Sequence, residues 1–183
     1  MPNRETITDS WKKDYSDLIT TPAEAAARIK PGQRVFVGTG CAKPDSVVNA
    51  LVERSATLVD TEIVHLLTLG DAPYADRRLV RHFRVNSFFI SKNVRDVIQD
   101  GLGDYTPIFL SDIPRLFTSG QLPLDVALIQ ITPPDERGMC SLGISVDIVK
   151  SAAENAGLVI AEVNPNMPRT LGNSFISIHD IDI

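Results

Sequence analysis

Apolar and polar positions alternate along this chain in two different periods. "RVFVG" (Arg34–Gly38), "TEIVHLLTL" (Thr61–Leu69) and "VNSFFIS" (Val85–Ser91) are rich in β-branched and aromatic residues and predict strands. "DVALIQI" (Asp125–Ile131) and "LVIAEVN" (Leu158–Asn164) are continuous apolar runs, as expected of strands buried on both faces. "YTPIFL" (Tyr105–Leu110) predicts one more short strand. Helical patterns lie between them. In "TPAEAAARI" Thr21 is the N-cap, Pro22 the first helical residue and Glu24 the partner that completes a capping box. "PDSVVNALVERSATL" (Pro44–Leu58) carries Val47, Val48, Leu51 and Val52 at helical spacing. "NVRDVIQDG" should end at Gly101, "SDIPRLFTSG" should open at Ser111 or Asp112 and close at Gly120, and "SVDIVKSAAENAG" should close at Gly157.

Strands alternating with helices predict an α/β fold: an open, mostly parallel sheet with helices on both faces. One domain is expected over residues 1–183, with a partly irregular segment over residues 1–18. Such sheets bind ligands beyond the carboxyl ends of their strands. Four strand ends lead into unusual loops: "GTGCAKP", "GDAPY", "TPPDERGMCSLG" and "NPNMPRTLG". They should converge on one edge of the sheet.

Composition narrows the chemistry. The net charge of −5 offers no basic footprint for nucleic acid, so a bound anion would need local donors. The polar start does not read as a secretory leader, so none is expected, and no apolar run is long enough to span a membrane. Two cysteines, Cys41 and Cys140, and three histidines do not make a zinc-binding spacing, so no metal is expected. Reduced thiols in the cytoplasm are the default setting.

Each loop has a plain reading beside a chemical one. In "GTGCAKP" two glycines precede a helix whose N-terminus favours an anion or a polarised carbonyl oxygen. Lys43 stands where a dinucleotide fingerprint would have its third glycine, and no GK[ST] follows, so neither phosphate-binding motif is present. Taken alone, a tight strand-to-helix turn is the better explanation of the glycines. Cys41 could be a nucleophile with His65 as base, but the sequence favours a buried filler and a structural histidine. "TPPDERGMCSLG" is long for a connection and offers Thr132, Ser141 and Ser145 as donors. Glu162 is a candidate acid–base group or nucleophile, or simply a partner of Arg169. Asn93 and Arg95 open a helix, where Arg95 could grip a carboxylate.

"GTGCAKP", "LTLGDAPY", "SFFISKNVRDVIQDGLGDYTPIFLSDIPRLF" and the long run from "LPLDVALIQI" to "NPNMPRTLG" together resemble the N-terminal half of the acetyl-CoA hydrolase/transferase family, best its 4-hydroxybutyrate CoA-transferase branch. The resemblance runs from about Ile19 to the last residue. It implies movement of coenzyme A between an acyl-CoA and a small carboxylate, or hydrolysis of the acyl-CoA, with the site between two α/β halves. It also implies a nucleophilic glutamate in the second half, followed by a glycine-rich loop, that forms an acyl anhydride and then a glutamyl-CoA thioester. No acid in these 183 residues sits in that motif, so the chain alone should be inactive and should need its own C-terminal domain. By position, Gly38, Thr39, Gly40 and Pro44, with Ala72 and Pro73, should form one wall of the acyl pocket, and Thr132, Pro133 and Ser141 another. A half with an uncovered interdomain face could also form a homo-oligomer. Two rival readings stand beside this one: a stand-alone thiol hydrolase using Cys41 and His65, and a non-catalytic binding module of the same fold.

Overall fold

The structure is a computed structural model describing residues 10–183. The apolar run of the sequence becomes strand β5 (Leu124–Ile131), buried throughout except at Asp125. It lies inside a sheet with β1 (Arg34–Val37), β2 (Thr61–His65), β3 (Phe83–Ser87), β4 (Asp104–Tyr105) and β7 (Ala156–Val163). The six strands run in the order β4-β3-β2-β1-β5-β7, and every pairing is parallel. Chain order therefore reverses between β1 and β5, where Val35 lies opposite Val126 and Val37 opposite Leu128. That switch point is where a sheet of this type opens a crevice.

Six helices accompany the strands among the described residues: α1 (Trp11–Asp14), α2 (Pro22–Ala27), α3 (Asp45–Glu53), α4 (Arg95–Gln99), α5 (Ile113–Thr118) and α6 (Val149–Asn155). Alternation along the strands sorts them into two layers. Val35, Val37, Ile63, Val85, Val126 and Leu128 face one way and pack on α2, α3 and α4 through Ala26, Leu51 and Val97. Phe36, Val64, Ala127, Ile129 and Ile131 face the other way and pack on α5 and α6 through Phe117 and Ala152. Both sheet faces are thus covered, which is why β5 can be apolar at nearly every position.

Several boundaries differ from the sequence expectation. The second strand stops at His65, not Leu69, and beyond it a Gly40–Thr68 bridge and a hydrogen bond from the Phe89 N–H to Leu66 O continue the pairing. The third begins at Phe83 and ends at Ser87; of its aromatic continuation only the Phe88 and Phe89 N–H groups still donate toward β2, to His65 O and Leu66 O at 3.0 Å each. Of "YTPIFL" only Tyr105 is in a strand, because Pro107 has no N–H for a ladder. Gly157 does not close α6; β7 starts at Ala156. The long loop after β5 contains β6 (Met139–Ser141), paired antiparallel with β8 (Phe175–Ser177) in a separate ribbon. The expectations for residues 1–9 lie outside the described residues. From Ser10 to residue 18 the chain forms α1 and a single 3-10 turn.

Candidate functional site

At the carboxyl end of β1 the chain turns through Gly38–Pro44 into α3. The Gly38 N–H donates to the Leu128 carbonyl of β5 at 2.8 Å. A Cβ at Gly38 would stand 3.0 Å from the Ala42 carbonyl oxygen, so the tightness of this turn requires glycine. Gly40 has φ +59°; its N–H donates to Leu67 O at 2.7 Å and its carbonyl accepts from the Leu69 N–H at 3.2 Å. The loop after β1 is thereby bound to the loop after β2. On its other flank the Thr39 hydroxyl donates to Asp147 Oδ2 at 2.6 Å, and Gly40 lies against Ser145.

Lys43 is buried, with 3% of its surface exposed. Its ammonium donates to the Asp71 carbonyl and forms a 2.8 Å ion pair with Asp45. A buried ammonium is costly unless paired, so this residue ties "GTGCAKP" to "GDAPY". Asn93 adds a second tie, its amide donating to the carbonyls of Thr68 (3.1 Å) and Gly70 (2.9 Å). Ala72 and Pro73, both half-buried, then line an open cleft with Asp71, Asp76 and Asn93.

Thr132 and Ser141 are held together inside their loop. Thr132 Oγ1 accepts the Ser141 N–H at 2.9 Å, and the Thr132 N–H donates to Ser141 O at 2.9 Å. Ser141 Oγ accepts the N–H groups of Gly143 and Thr170, each at 3.1 Å. Both side chains are buried and their hydroxyls are engaged within the protein. Pro133 is half-buried and lines a different open cleft, with Trp11, Tyr15 and Asp135. The first-wall residues Gly38, Thr39, Gly40, Pro44, Ala72 and Pro73 are thus brought together. Ser141 and Thr132 are linked to the Gly38–Pro44 loop through the segment Leu142–Asp147, which meets it at Thr39 and Gly40, while Pro133 lines the second cleft.

Three expectations need correction. Cys41 is exposed, and Cys140 is the buried thiol, pushed up to about 12 chiefly by burial. Once β1 has ended, strand alternation no longer dictates which loop side chains face inward. Arg169 does not pair with Glu162. It pairs with Asp135 at 2.6 Å, donates to the Met139 carbonyl at 2.9 Å and lies 4.9 Å over the Phe175 ring. The helix terminus after "GTGCAKP" is not an open anion site, because Glu162 Oε2 accepts the Ser46 N–H at 2.8 Å.

His65 is fully buried, edge-on to Tyr74, and its Nδ1 faces the Tyr74 hydroxyl at 3.5 Å. Burial first, and the Lys43 charge second, depress its pKa to about 4. Its Nε2 has no hydrogen-bond partner, and no hydrogen bond joins it to Cys41 among the described residues. The arrangement is that of a neutral core histidine, and the thiol-hydrolase reading finds no support in it.

Gln130 was not singled out from sequence. Its Nε2 donates to Glu162 Oε1 at 3.0 Å and its Oε1 accepts from Asn164 at 3.1 Å. The signal that would have found it is a lone amide inside an otherwise apolar buried strand. An apolar cavity of about 230 Å³ lies beyond this group on the β7 edge, bordered by Trp11, Tyr15, Ile160 and Ile181. Among the described residues no cluster of three or more His, Cys, Asp or Glu could hold a metal ion, and no helix is long and apolar enough to cross a membrane.

Residues 1–183 match the model of the acetyl-CoA hydrolase/transferase N-terminal domain. The chain is 45% identical over 172 residues to the 4-hydroxybutyrate coenzyme A transferase of Clostridium kluyveri, covering 94% of this chain and 40% of that protein. It is 42% identical over 157 residues to a succinyl-CoA:acetate/propanoyl-CoA:succinate CoA transferase of Fasciola hepatica, covering 85% of this chain and 32% of that one. Among solved structures, a 4-hydroxybutyrate CoA-transferase of Porphyromonas gingivalis superposes with a TM-score of 0.78 at 31% identity, covering 94% of this chain and 40% of that one. RipA of Yersinia pestis superposes with a TM-score of 0.83 at 26% identity, covering 94% of this chain and 43% of that one. The chain thus spans about two fifths of the length of relatives that are CoA-transferases. An all-parallel sheet, with strand-end loops cross-tied at its switch point, and a family match over every residue lead to one conclusion: this chain belongs to the acetyl-CoA hydrolase/transferase family and is its N-terminal domain.

Proposed function

We propose that this domain forms the acyl-pocket side of an interdomain site in an enzyme that moves coenzyme A between an acyl-CoA and a small carboxylate in the cytoplasm. Its partner is its own C-terminal domain, which carries the nucleophilic glutamate. The observation that carries the reading is the cross-tied carboxyl edge, where Gly38–Pro44 is fastened to the β2 loop by Lys43 and to the Leu142–Asp147 segment by Thr39. Attack on a thioester turns its carbonyl oxygen into an oxyanion, so the surrounding groups must be fixed before charge develops. Water must be excluded, or transfer becomes hydrolysis. In this reading the wall residues Gly38, Thr39, Gly40, Pro44, Ala72 and Pro73 exclude water by shape. Thr132 and Ser141 support the wall from behind, since their hydroxyls are committed within the loop. Exposed Leu69, Ile144 and Leu171, on loops at the same edge, offer apolar surface for a second domain to cover.

The test is acyl-CoA turnover with acetate, butyrate, 4-hydroxybutyrate and succinate as acceptors, followed by chromatography of the CoA esters. The protein with both halves should transfer coenzyme A to at least one acceptor, and residues 1–183 alone to none. Robust transfer by residues 1–183 would overturn the assignment of the nucleophile to the other half. No transfer by the two-domain protein to any acceptor would overturn the transferase reading itself.

A further inference from the structure

Helix α3 starts without a cap of its own. Its N-cap residue is Pro44, which makes no side-chain cap, and the Ser46 N–H is satisfied instead by Glu162 from the far side of the switch point. Glu162 lies opposite Gln130 in the β5–β7 register. One of its oxygens takes the Ser46 N–H at 2.8 Å and the other takes Gln130 Nε2 at 3.0 Å. The same Gln130 nitrogen lies 3.5 Å from the Lys43 carbonyl, and Gln130 Oε1 accepts the Asn164 amide at 3.1 Å. Asn164 is fixed in turn, its N–H donating to Ile131 O at 2.8 Å and its Oδ1 accepting the Asn166 N–H at 2.9 Å. A single hydrogen-bonded chain therefore spans the ends of β1, β5 and β7.

From this geometry we propose that Glu162 is a positioning residue of the transfer site. It holds the first turn of α3, and through it the Gly38–Pro44 wall, at a set distance from the β5–β7 side of the cleft. The inference rests on the acyl-pocket reading above. The physical basis is local. An ionised acceptor binds an amide N–H more strongly than a neutral one, and a carboxylate at a helix N-terminus also meets the favourable end of the dipole. Each carboxylate oxygen already holds a structural donor, and the proposed role is to place the wall rather than to exchange protons with a substrate.

The bonding pattern supplies a discriminating test in the two-domain protein. Glu162→Ala removes both acceptors. Glu162→Gln keeps an oxygen for the Ser46 N–H but turns an NH₂ toward the NH₂ of Gln130. Glu162→Gln combined with Gln130→Glu reverses the bond between the two strands, keeps the acceptor for Ser46 and leaves an oxygen for Asn164. Rates are taken per folded molecule. Glu162→Ala should lower kcat/KM by ~10-fold or more, the scale expected when a reacting group is misplaced. Glu162→Gln should lose less, and the double variant should recover most of the loss with an unshifted pH profile. An unchanged kcat/KM in Glu162→Ala overturns the proposal. So does a double variant that restores protection of the Ser46 amide yet transfers no better than Glu162→Gln, which would mean that the carboxylate itself takes part in the chemistry. Hydrogen exchange separates failure of this inference from failure of the transferase reading. Even in protein that transfers nothing, the Ser46 amide should exchange faster in Glu162→Ala than in wild type while the amides of β5 keep their protection. Unchanged exchange at Ser46 would refute the cap.

Discussion

At position 143 the backbone has φ +61°, and an added Cβ would come within 2.5 Å of the Met167 side chain. Gly143→Ala is expected to destabilise the protein by about 2–4 kcal/mol, combining left-handed strain with overpacking. Adding Met167→Ala should relieve the collision but not the strain. The double variant should therefore lose less than the sum of the two single losses in urea unfolding. His65 gives a pH signature at the same scale. Its pKa is near 6.5 unfolded and about 4 folded, so between those values the unfolded chain binds the extra proton. Stability should be unaffected by this group above about pH 6.5 and should fall as pH drops toward 4, with a slope of up to ~1.4 kcal/mol per pH unit. His65→Gln should flatten that part of the profile in urea midpoints measured from pH 7 to 4.5; an unchanged slope would show that another group is responsible. The structural role of His65 was legible because a histidine inside an apolar strand has few polar partners. The exposure of Cys41 and the partner of Arg169 were not, because loop side chains follow three-dimensional neighbours and not a period.

Among the elements, α2 shows how far local chemistry can be read. Thr21, Pro22 and Glu24 form the expected capping box, with the Glu24 N–H donating to Thr21 Oγ1 at 3.2 Å and Glu24 Oε2 accepting the Thr21 N–H at 3.1 Å. Hydrogen bonds from the Thr20 side chain and then from Thr21 hold the Glu24 carboxyl at about 2. Thr21→Ala should cost about 1 kcal/mol, measurable as a lower urea midpoint with an unchanged slope. The β6–β8 ribbon was invisible by comparison. Each strand has three residues, and Cys140 pairs with Ile176 from 36 positions further along, so no local pattern announces it. The aromatic run Phe88–Phe89 misled in the other direction. Its composition suits a strand, but Phe89 projects into solvent beyond the end of β3.

For the whole molecule, the alternation of strands and helices was sufficient to give the parallel sheet with both faces covered, since few other layerings bury such continuous apolar strands. The gathering of the β1 and β2 loops on one edge follows from that topology, and the structure supplies their fastenings, Lys43 and Asn93. What the sequence could not reveal is that Glu162 reaches across the switch point to α3. That contact joins residues 116 positions apart.

The switch between β1 and β5 also has a consequence for how the protein is made. Arg34 at the start of β1 is bonded to Asp125, 91 residues later. At ~5–20 residues per second, β1 would leave the ribosome roughly 5–18 s before its second neighbour. Strands β1 to β4 can associate in that interval, but one side of β1 stays unpaired, as a ready template for another nascent chain. Synthesis is then the period in which this edge is most open to wrong pairing.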